Sequence, residues 1–570
     1  GSEQKYMTQS ENKICQNCKS EFTIEPDDSS YYEQIHVPPP TFCPKCRMIR
    51  RLAWWGYRIL YKKKCDFIKK EVITTYHPDS PHKIYSPEVW YSDKWDPLWY
   101  GRDYDFSRSF FEQFNELFLE VPKPALHYSH STMTNSEYCS AASELKNCYL
   151  AFKADRSENS AYLNAISFLK DCFDVSYSNY SELSYESVNV NKCYQVFHSI
   201  DCDECHDVWF SRDLVGCQNC VGCINLRNKN YHIFNQPYTK EDYHEKLKEF
   251  DLTTNKGIEN FQKQFEEFSQ KYPRRQYHGS HNIQVSGDYL YECKNVLDSY
   301  WIYGAEDVRY SQLLQAPNSK KCYDHSGFGL NSEWVYETAW AGISANNIKF
   351  SFWNYSAHDL EYCFGCPGSG NLFGCVGVRN NEYCILNKKY TKSEYTELVE
   401  KIKKQMQKMP YTDKKGNVYK YGEFFPSEFS PWTYNESHMF EFMPLTKEEA
   451  LSRGFTWRDP DPKEYLPATM AIPEKIQDAT DDILKAIFKC KDCGKNYRLI
   501  QMELNFYRRF NLPIPIHCPL CRDRARIRKM NPMEIYDRQC AKCQKNIKTS
   551  YAPNRPEIVY CESCYQQEVV

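Results

Sequence analysis

Residues 171–175 read Asp171-Cys172-Phe173-Asp174-Val175, and the phrase returns at Asn147-Cys148-Tyr149-Leu150 and at Lys192-Cys193-Tyr194-Gln195-Val196. A polar residue is followed by Cys or Ser, then an aromatic, then an apolar or β-branched residue. Weaker copies lie at Asn159-Ser160-Ala161-Tyr162-Leu163, Glu204-Cys205-His206-Asp207-Val208, Lys321-Cys322-Tyr323 and Glu382-Tyr383-Cys384-Ile385. Cys148, Cys172, Cys193 and Cys217 stand 24, 21 and 24 residues apart, with half-steps near a dozen between them. Short apolar strands at such even spacing, cornered by Ser, Asn and Asp, predict a β-solenoid. Its coils stack like on like and bury one row of side chains. A stack of β-hairpins or a sandwich has the same strand spacing and stays open.

The repetitive region is doubled. Gly222-Cys223, Arg227-Asn228, Tyr231, Asn235 and Tyr238-Thr239-Lys240 return 152 residues later as Gly374-Cys375, Arg379-Asn380, Tyr383, Asn387 and Tyr390-Thr391-Lys392. Each copy runs into a helical pattern. Thr391 with Glu394, and Thr239 with Asp242, have the spacing of a capping box. These helices are expected to close the ends of the two repeat domains.

The chain ends also match each other. Cys15-x2-Cys18 is followed by Cys43-Pro44-Lys45-Cys46-Arg47, and a shift of 475 residues gives Cys490-x2-Cys493 and Cys518-Pro519-Leu520-Cys521-Arg522. Phe22 falls on Tyr497, Tyr32 on Tyr507, Pro38 on Pro513 and Arg51 on Arg526. The same shift places Cys65 on Cys540, Tyr76 on Tyr551 and Tyr85 on Tyr560. The C-terminal copy carries a further ribbon, Cys540-x2-Cys543 and Cys561-x2-Cys564. Its N-terminal counterpart has Ile68, Ser86 and Val89 at three of the four positions. We read a lost second metal site replaced by apolar packing, with Cys65 as its relic.

Two CxxC pairs supply four thiolates, the tetrahedral soft-donor set that suits structural zinc. The three sites are Cys15, Cys18, Cys43 and Cys46; Cys490, Cys493, Cys518 and Cys521; and Cys540, Cys543, Cys561 and Cys564. A catalytic zinc keeps an open position, and four cysteines leave none. Iron is the competing metal for an all-sulfur tetrahedron. The middle cysteines, Cys202, Cys205, Cys217, Cys220, Cys223, Cys363, Cys366, Cys375 and Cys384, fit either a further metal or an internal ladder of small buried residues. The ladder is favoured, because the 152-residue copy matches only Cys223, by Cys375; Cys217 falls on Ser369 and Cys220 on Leu372.

Basic charge follows the knuckles. Arg47, Arg50, Arg51, Arg58, Lys62, Lys63 and Lys64 follow the first, with Trp54 and Trp55 among them. Arg522, Arg524, Arg526, Arg528 and Lys529 follow the second. Guanidinium groups bind phosphate bidentately and exposed aromatics stack on bases. The opposing reading is a solvated face, or helices that dock on the acidic middle.

The whole chain has 570 residues, a net charge of −3 and 16 % aromatics, with a mean hydropathy of −0.73. So many aromatics argue against disorder. No run approaches the length of a membrane span, and no charged-then-apolar start marks a secretory signal. Gly1 and Ser2 read as a cloning remnant. Paired thiols at ribbon spacing point to a reducing, cytoplasmic setting. No GxxxxGK[ST] loop, GxSxG elbow or HExxH is visible.

The fold class is mainly β: two repetitive β-solenoid (β-helix-like) domains flanked by terminal four-cysteine zinc-ribbon modules, with short linking helices. The expected order is an N-terminal ribbon module (11–92), an aromatic-rich connector (93–129) with a short helix in 105–120, and a first β-repeat domain (130–238). A helical linker (239–280), a second β-repeat domain (281–390) and a capping helix (391–410) follow. An extended connector (411–487), ending in a helix over 479–488, leads to the C-terminal double ribbon (488–570).

The phrases Val37-Pro38-Pro39-Pro40-Thr41-Phe42-Cys43-Pro44-Lys45-Cys46-Arg47, Tyr91-Ser92-Asp93-Lys94-Trp95-Asp96-Pro97 and Tyr390-Thr391-Lys392 resemble a group of zinc-ribbon proteins predicted in genomes of uncultured bacterial lineages. That resemblance covers most of the chain and implies no activity. General zinc ribbons imply nucleic-acid or protein binding by analogy only. The leading expectation is a non-enzymatic zinc scaffold that binds RNA or DNA through its basic ribbons. A protein–protein scaffold is the alternative, and a β-helix enzyme acting on carbohydrate is the third.

Overall fold

The computed structural model describes residues 9–570, so the Gly1-Ser2 remnant lies outside the described residues. The chain forms two compact units, each built from separated stretches. One comprises Gly1–Ala125 and Tyr277–Arg458; the other comprises Leu126–Gln276 and Asp459–Val570. Each unit thus holds one terminal ribbon module and one repeat region. The N-terminal module belongs with the second repeat, and the C-terminal module with the first.

The first repeat is a parallel ladder whose register advances by one coil at each pairing. Ala161 pairs Phe173, Phe173 pairs Tyr185, Tyr185 pairs Phe197, Phe197 pairs Trp209, Trp209 pairs Val221 and Val221 pairs Ile233. The coil is therefore 12 residues long. The spacings of 24 and 21 seen in the sequence are sums of shorter steps. Inside each coil the step is three residues. Cys139, Ala142, Leu145, Cys148, Ala151 and Ala154 all point into the core. The residues just before the inward ones are left-handed: Asn147, Leu150, Lys153, Arg156, Asn159 and Tyr162 have φ between 47° and 61°. Only Asn and Asp among non-glycine residues adopt this conformation readily, which explains why polar residues open the recurring phrase.

The inward position explains the exchange of Cys and Ser. Ser187 donates to the carbonyls of Tyr185 and Val196, and it accepts the amide of Ser199. Cys172 and Cys193 likewise donate to the carbonyls two residues before and nine residues after. A small donor thus adds a second bond to carbonyls that already take a ladder amide, as Tyr185 does from His198 and Lys170 from Leu183, and Ser187 also accepts the Ser199 amide.

The second repeat follows the same rule with longer coils in its middle. Lys294 pairs Glu306, Glu306 pairs Lys320, Tyr323 pairs Tyr336, Asn346 pairs His358 and His358 pairs Gly370. Both ladders end as the duplicated sequence requires. A short antiparallel strand folds back, Gln236–Pro237 on Asn230–Ile233 and Lys388–Lys389 on Glu382–Ile385. A helix then begins at Thr239, which accepts the Asp242 amide, or at Thr391, which makes a full capping box with Glu394.

The linking helices are Phe110–Glu120, Lys240–Leu247 and Asn255–Ser269. Residues 479–488 depart from expectation: they hold a single 3-10 turn, Asp481–Lys485, followed by the strand Phe488–Lys489. Ile483, Ala486 and Phe488 are all buried from this short turn and strand, so the segment buries its apolar residues without a longer helix.

Candidate metal centres and docking faces

Each ribbon is a hairpin followed by a helix that starts on a cysteine. Glu11–Ile14 pairs Glu21–Ile24, Phe488–Lys489 pairs Asn496–Tyr497, and Tyr536–Gln539 pairs Asn546–Thr549. The helices Pro44–Leu52, Pro519–Ile527 and Glu562–Val569 are N-capped by Cys43, Cys518 and Cys561, whose sulfurs accept the amides of Cys46, Cys521 and Cys564. In each tetrad the four sulfurs lie within 4.8 Å of one another. Cys18 and Cys43, Cys493 and Cys518, and Cys543 and Cys561 have sulfurs 3.8 Å apart. A tetrahedron of zinc–sulfur bonds has an edge of about 3.8 Å, so the donor sets are already at metal-binding spacing.

The tetrads are supported from outside. Asn17 donates to the Cys46 sulfur at 3.3 Å and the Cys518 amide to the Cys490 sulfur at 3.2 Å. Such outer contacts orient ligands and stabilise negative charge on them. Hydrogen bonds from neighbouring thiols pull Cys15 well below the usual thiol range and bring Cys518 down to about 5. One thiol in each of these two tetrads is thus held as the thiolate, while hydrogen bonds to it raise its neighbours Cys46 and Cys521.

The degenerate ribbon keeps the frame without the ligands. Tyr61–Lys64 pairs Glu71–Thr74, and the Ser86 amide donates to the buried Cys65 sulfur at 3.3 Å. Val89 is buried as expected. Ile68 is 40 % exposed, so only one of the two apolar replacements packs.

Among the described residues, no three of the middle cysteines bring their sulfurs together as the tetrads do. Cys205, Cys217, Cys223, Cys363, Cys366, Cys375 and Cys384 instead donate to backbone carbonyls of their own coils. Cys202 and Cys220 do the same.

The basic residues after the knuckles are placed differently from a phosphate-binding face. Arg47 reaches Asp324 at 2.9 Å; Arg51 reaches Asp324 at 3.4 Å and Glu337 at 3.3 Å; Arg50 reaches Glu337 at 3.0 Å and Glu423 at 2.9 Å. In the other unit Arg522 reaches Asp174 at 3.0 Å, and Arg526 reaches Asp174 at 3.1 Å and Glu186 at 3.2 Å. All five guanidinium groups are buried. Burial alone would lower Arg47 and Arg522, but Asp324 and Asp174 outweigh it and hold both well above their usual range.

The two networks are the same network. Arg51 donates to the Ser326 hydroxyl and Arg526 to the Ser176 hydroxyl, both at 3.0 Å. Arg47 donates to the Phe42 carbonyl and Arg522 to the His517 carbonyl. An aromatic contact accompanies each. Tyr31 stacks on Tyr323 with centroids 3.9 Å apart, and Phe506 lies 4.7 Å from Phe173. Tyr31 and Phe506 are equivalent under the 475-residue shift.

Trp54 and Trp55 are core residues, 0 % and 1 % exposed. Arg58 is nearly buried beside Glu441, and Lys63 donates to the carbonyls of Ser80 and His82. Arg524 is half-buried; Lys62, Lys64, Arg528 and Lys529 are exposed. The acidic partners Asp174, Glu186, Asp324 and Glu337 escaped sequence reasoning. The 152-residue shift of the repeats does not reveal them, because it sets Asp174 on Ser326; Asp174 and Asp324 correspond only at a shift of 150.

No family model and no curated protein matches the chain. Among solved structures, a chain from Desulfovibrio desulfuricans G20 provisionally assigned as an acetyltransferase is 11 % identical. The match covers 52 % of this chain and 75 % of that one, with a TM-score of 0.11. A score that low carries no argument about fold or activity. No helix among the described residues is long and apolar enough to cross a membrane.

Proposed function

We propose that the protein is a non-enzymatic, zinc-stapled scaffold that presents rigid surfaces to a protein partner. In this reading each parallel ladder is a β-solenoid, and each four-cysteine tetrad holds zinc as a structural ion. The observation that carries it is the repeated docking network, in which Arg47 and Arg51 engage Asp324 as Arg522 and Arg526 engage Asp174. The ribbons use their conspicuous arginines to clamp a repeat domain of the same chain. This favours the scaffold over the nucleic-acid reading at those five positions, because a buried guanidinium already paired with carboxylates is closed off from a phosphate in solvent.

The test pairs affinity capture with nucleic-acid binding. The zinc-loaded protein is expected to retain a protein partner through a high-salt wash. Charge reversal at Arg47, Arg50 and Arg51 should undock the module and lower stability. A variant that keeps its stability while losing affinity for labelled single-stranded RNA, single-stranded DNA or duplex DNA would reverse the assignment.

A further inference from the structure

The second ribbon has a basic groove on its hairpin side, lined by none of the docked arginines. The cavity, about 330 Å³, is walled by Lys463, Glu464, Leu466, Lys495, Asn496 and Arg498, among others. Lys495 is paired with Glu464 at 3.2 Å. Among the described residues, Lys463 and Arg498 have no ion-pair partner, and both are exposed. Asn496 fixes the wall: its amide donates to the Leu466 carbonyl and its oxygen accepts the Leu466 amide, both at 2.8 Å. The neighbouring Tyr465 ring rests on Gly494, where any side chain would press on it, and 36 % of its surface is exposed.

The duplicated first ribbon provides an internal comparison. Ser20 and Thr23 stand at the positions of Lys495 and Arg498. Its knuckle is covered by its own chain, since Gln16 exchanges hydrogen bonds with Val418, and Lys415 and Asn417 donate to Asn17. At the equivalent place the second ribbon shows exposed Lys491 and Asp492. The place that one copy covers with Lys415, Asn417 and Val418 is thus left open in the other.

We propose that this groove binds the phosphodiester backbone of a single-stranded nucleic acid, with Lys463, Lys495 and Arg498 on phosphates and Tyr465 against a base. Cations set about an aromatic are the pattern of sequence-tolerant strand binding. The site uses no side chain of the three cysteine tetrads or of the docked arginines, and it abuts the second knuckle, where the Lys495 carbonyl accepts the Cys490 amide at 2.8 Å.

The test uses the full zinc-loaded chain and a fluorescein-labelled 20-nucleotide polyuridylate, read by anisotropy at two salt concentrations. Combining Lys463→Gln, Lys495→Gln and Arg498→Gln should weaken binding at least tenfold and reduce the salt slope by about 2, as loss of three phosphate contacts requires. Tyr465→Ala should weaken binding with the slope unchanged. Lys62→Gln with Lys64→Gln, and Arg528→Gln with Lys529→Gln, should bind as the parent does. Zinc content, measured on every variant, confirms that the ribbons are intact. Parent-like binding by the triple variant, or no binding by the parent at low salt, overturns the proposal. So does equal loss in the two control pairs, or binding of heparin in place of polyuridylate.

Discussion

Asp324 holds two of the arginines that dock the N-terminal module. It is fully buried, Arg47 lies 2.9 Å away, and Arg51 lies 3.4 Å away. In Asp324→Ala, Arg51 keeps Glu337 and Ser326, but Arg47 is left with the Phe42 carbonyl and no carboxylate. Breaking a buried pair by removing one partner costs about 3–5 kcal/mol, because a charge is stranded. With one arginine stranded and the other still held, about 3 kcal/mol is expected. Urea unfolding would then show a midpoint lowered by about 1 M. Tryptophan fluorescence reads this unit selectively, because every tryptophan except Trp209 lies in it. Asp174→Ala, the same change in the other unit, should leave that fluorescence transition almost unmoved. Replacing the group together, with Arg47→Met, Arg51→Met and Asp324→Leu, should recover most of the loss. An unchanged midpoint in Asp324→Ala, or equal fluorescence shifts in the two alanine variants, would refute the reasoning.

The remaining predictions concern metal, pH and backbone. Elemental analysis should find three metal ions per chain, about two in Cys493→Ser, and an unchanged three in Cys65→Ser. Chelation should expose the ribbons to proteolysis before the ladders, since each ion contributes on the order of 10 kcal/mol to its module. Burial lowers His325 to about 3, so the unfolded chain binds the extra proton between that value and about 6.5. Stability should therefore be fully present above pH 6.5 and fall by up to about 1.4 kcal/mol per pH unit on acidification. His325→Gln, measured by urea unfolding across pH 4–8, should flatten that slope. Lys192 is exposed with φ 53°, so Lys192→Val should cost about 1–2 kcal/mol. Lys192→Asn should not, and thermal unfolding separates the two.

The metal sites were legible because thiolate ligation fixes residue type and spacing at once: two residues between cysteines, and a helix that must start on the second pair. The ladder was legible in outline, since Cys148 and Cys172 repeat by a whole number of coils. Its inner three-residue step was not. That step is a backbone conformation, and Leu150, Tyr162 and Lys192 adopt it alongside Asn147 and Asp171. Side-chain identity marks such a position only where Asn or Asp stands there. The arginines were visible and their partners were not. Arg47 meets Asp324 across 277 residues of chain, and charge along a sequence does not say which acid it will meet.

The connectivity bears on why the knuckles and the arginines stay together. In one unit the module precedes its ladder in the chain; in the other it follows. Linkers of opposite sense would deliver the module to the ladder differently, yet the same contacts form, Arg47 with Asp324 and Arg522 with Asp174. The docking is therefore a property of the two faces. What holds the module's face in shape is the knuckle. Cys43 caps the helix, Cys46 lies in its first turn, and the next residue is Arg47, whose amide donates to the Cys43 carbonyl at 3.0 Å. Fixing the sulfurs around an ion fixes where that helix starts and hence where Arg47 and Arg51, one turn apart, point. An ion held by the tetrad would act at a distance of one helical turn, by positioning the cations that hold the ladder.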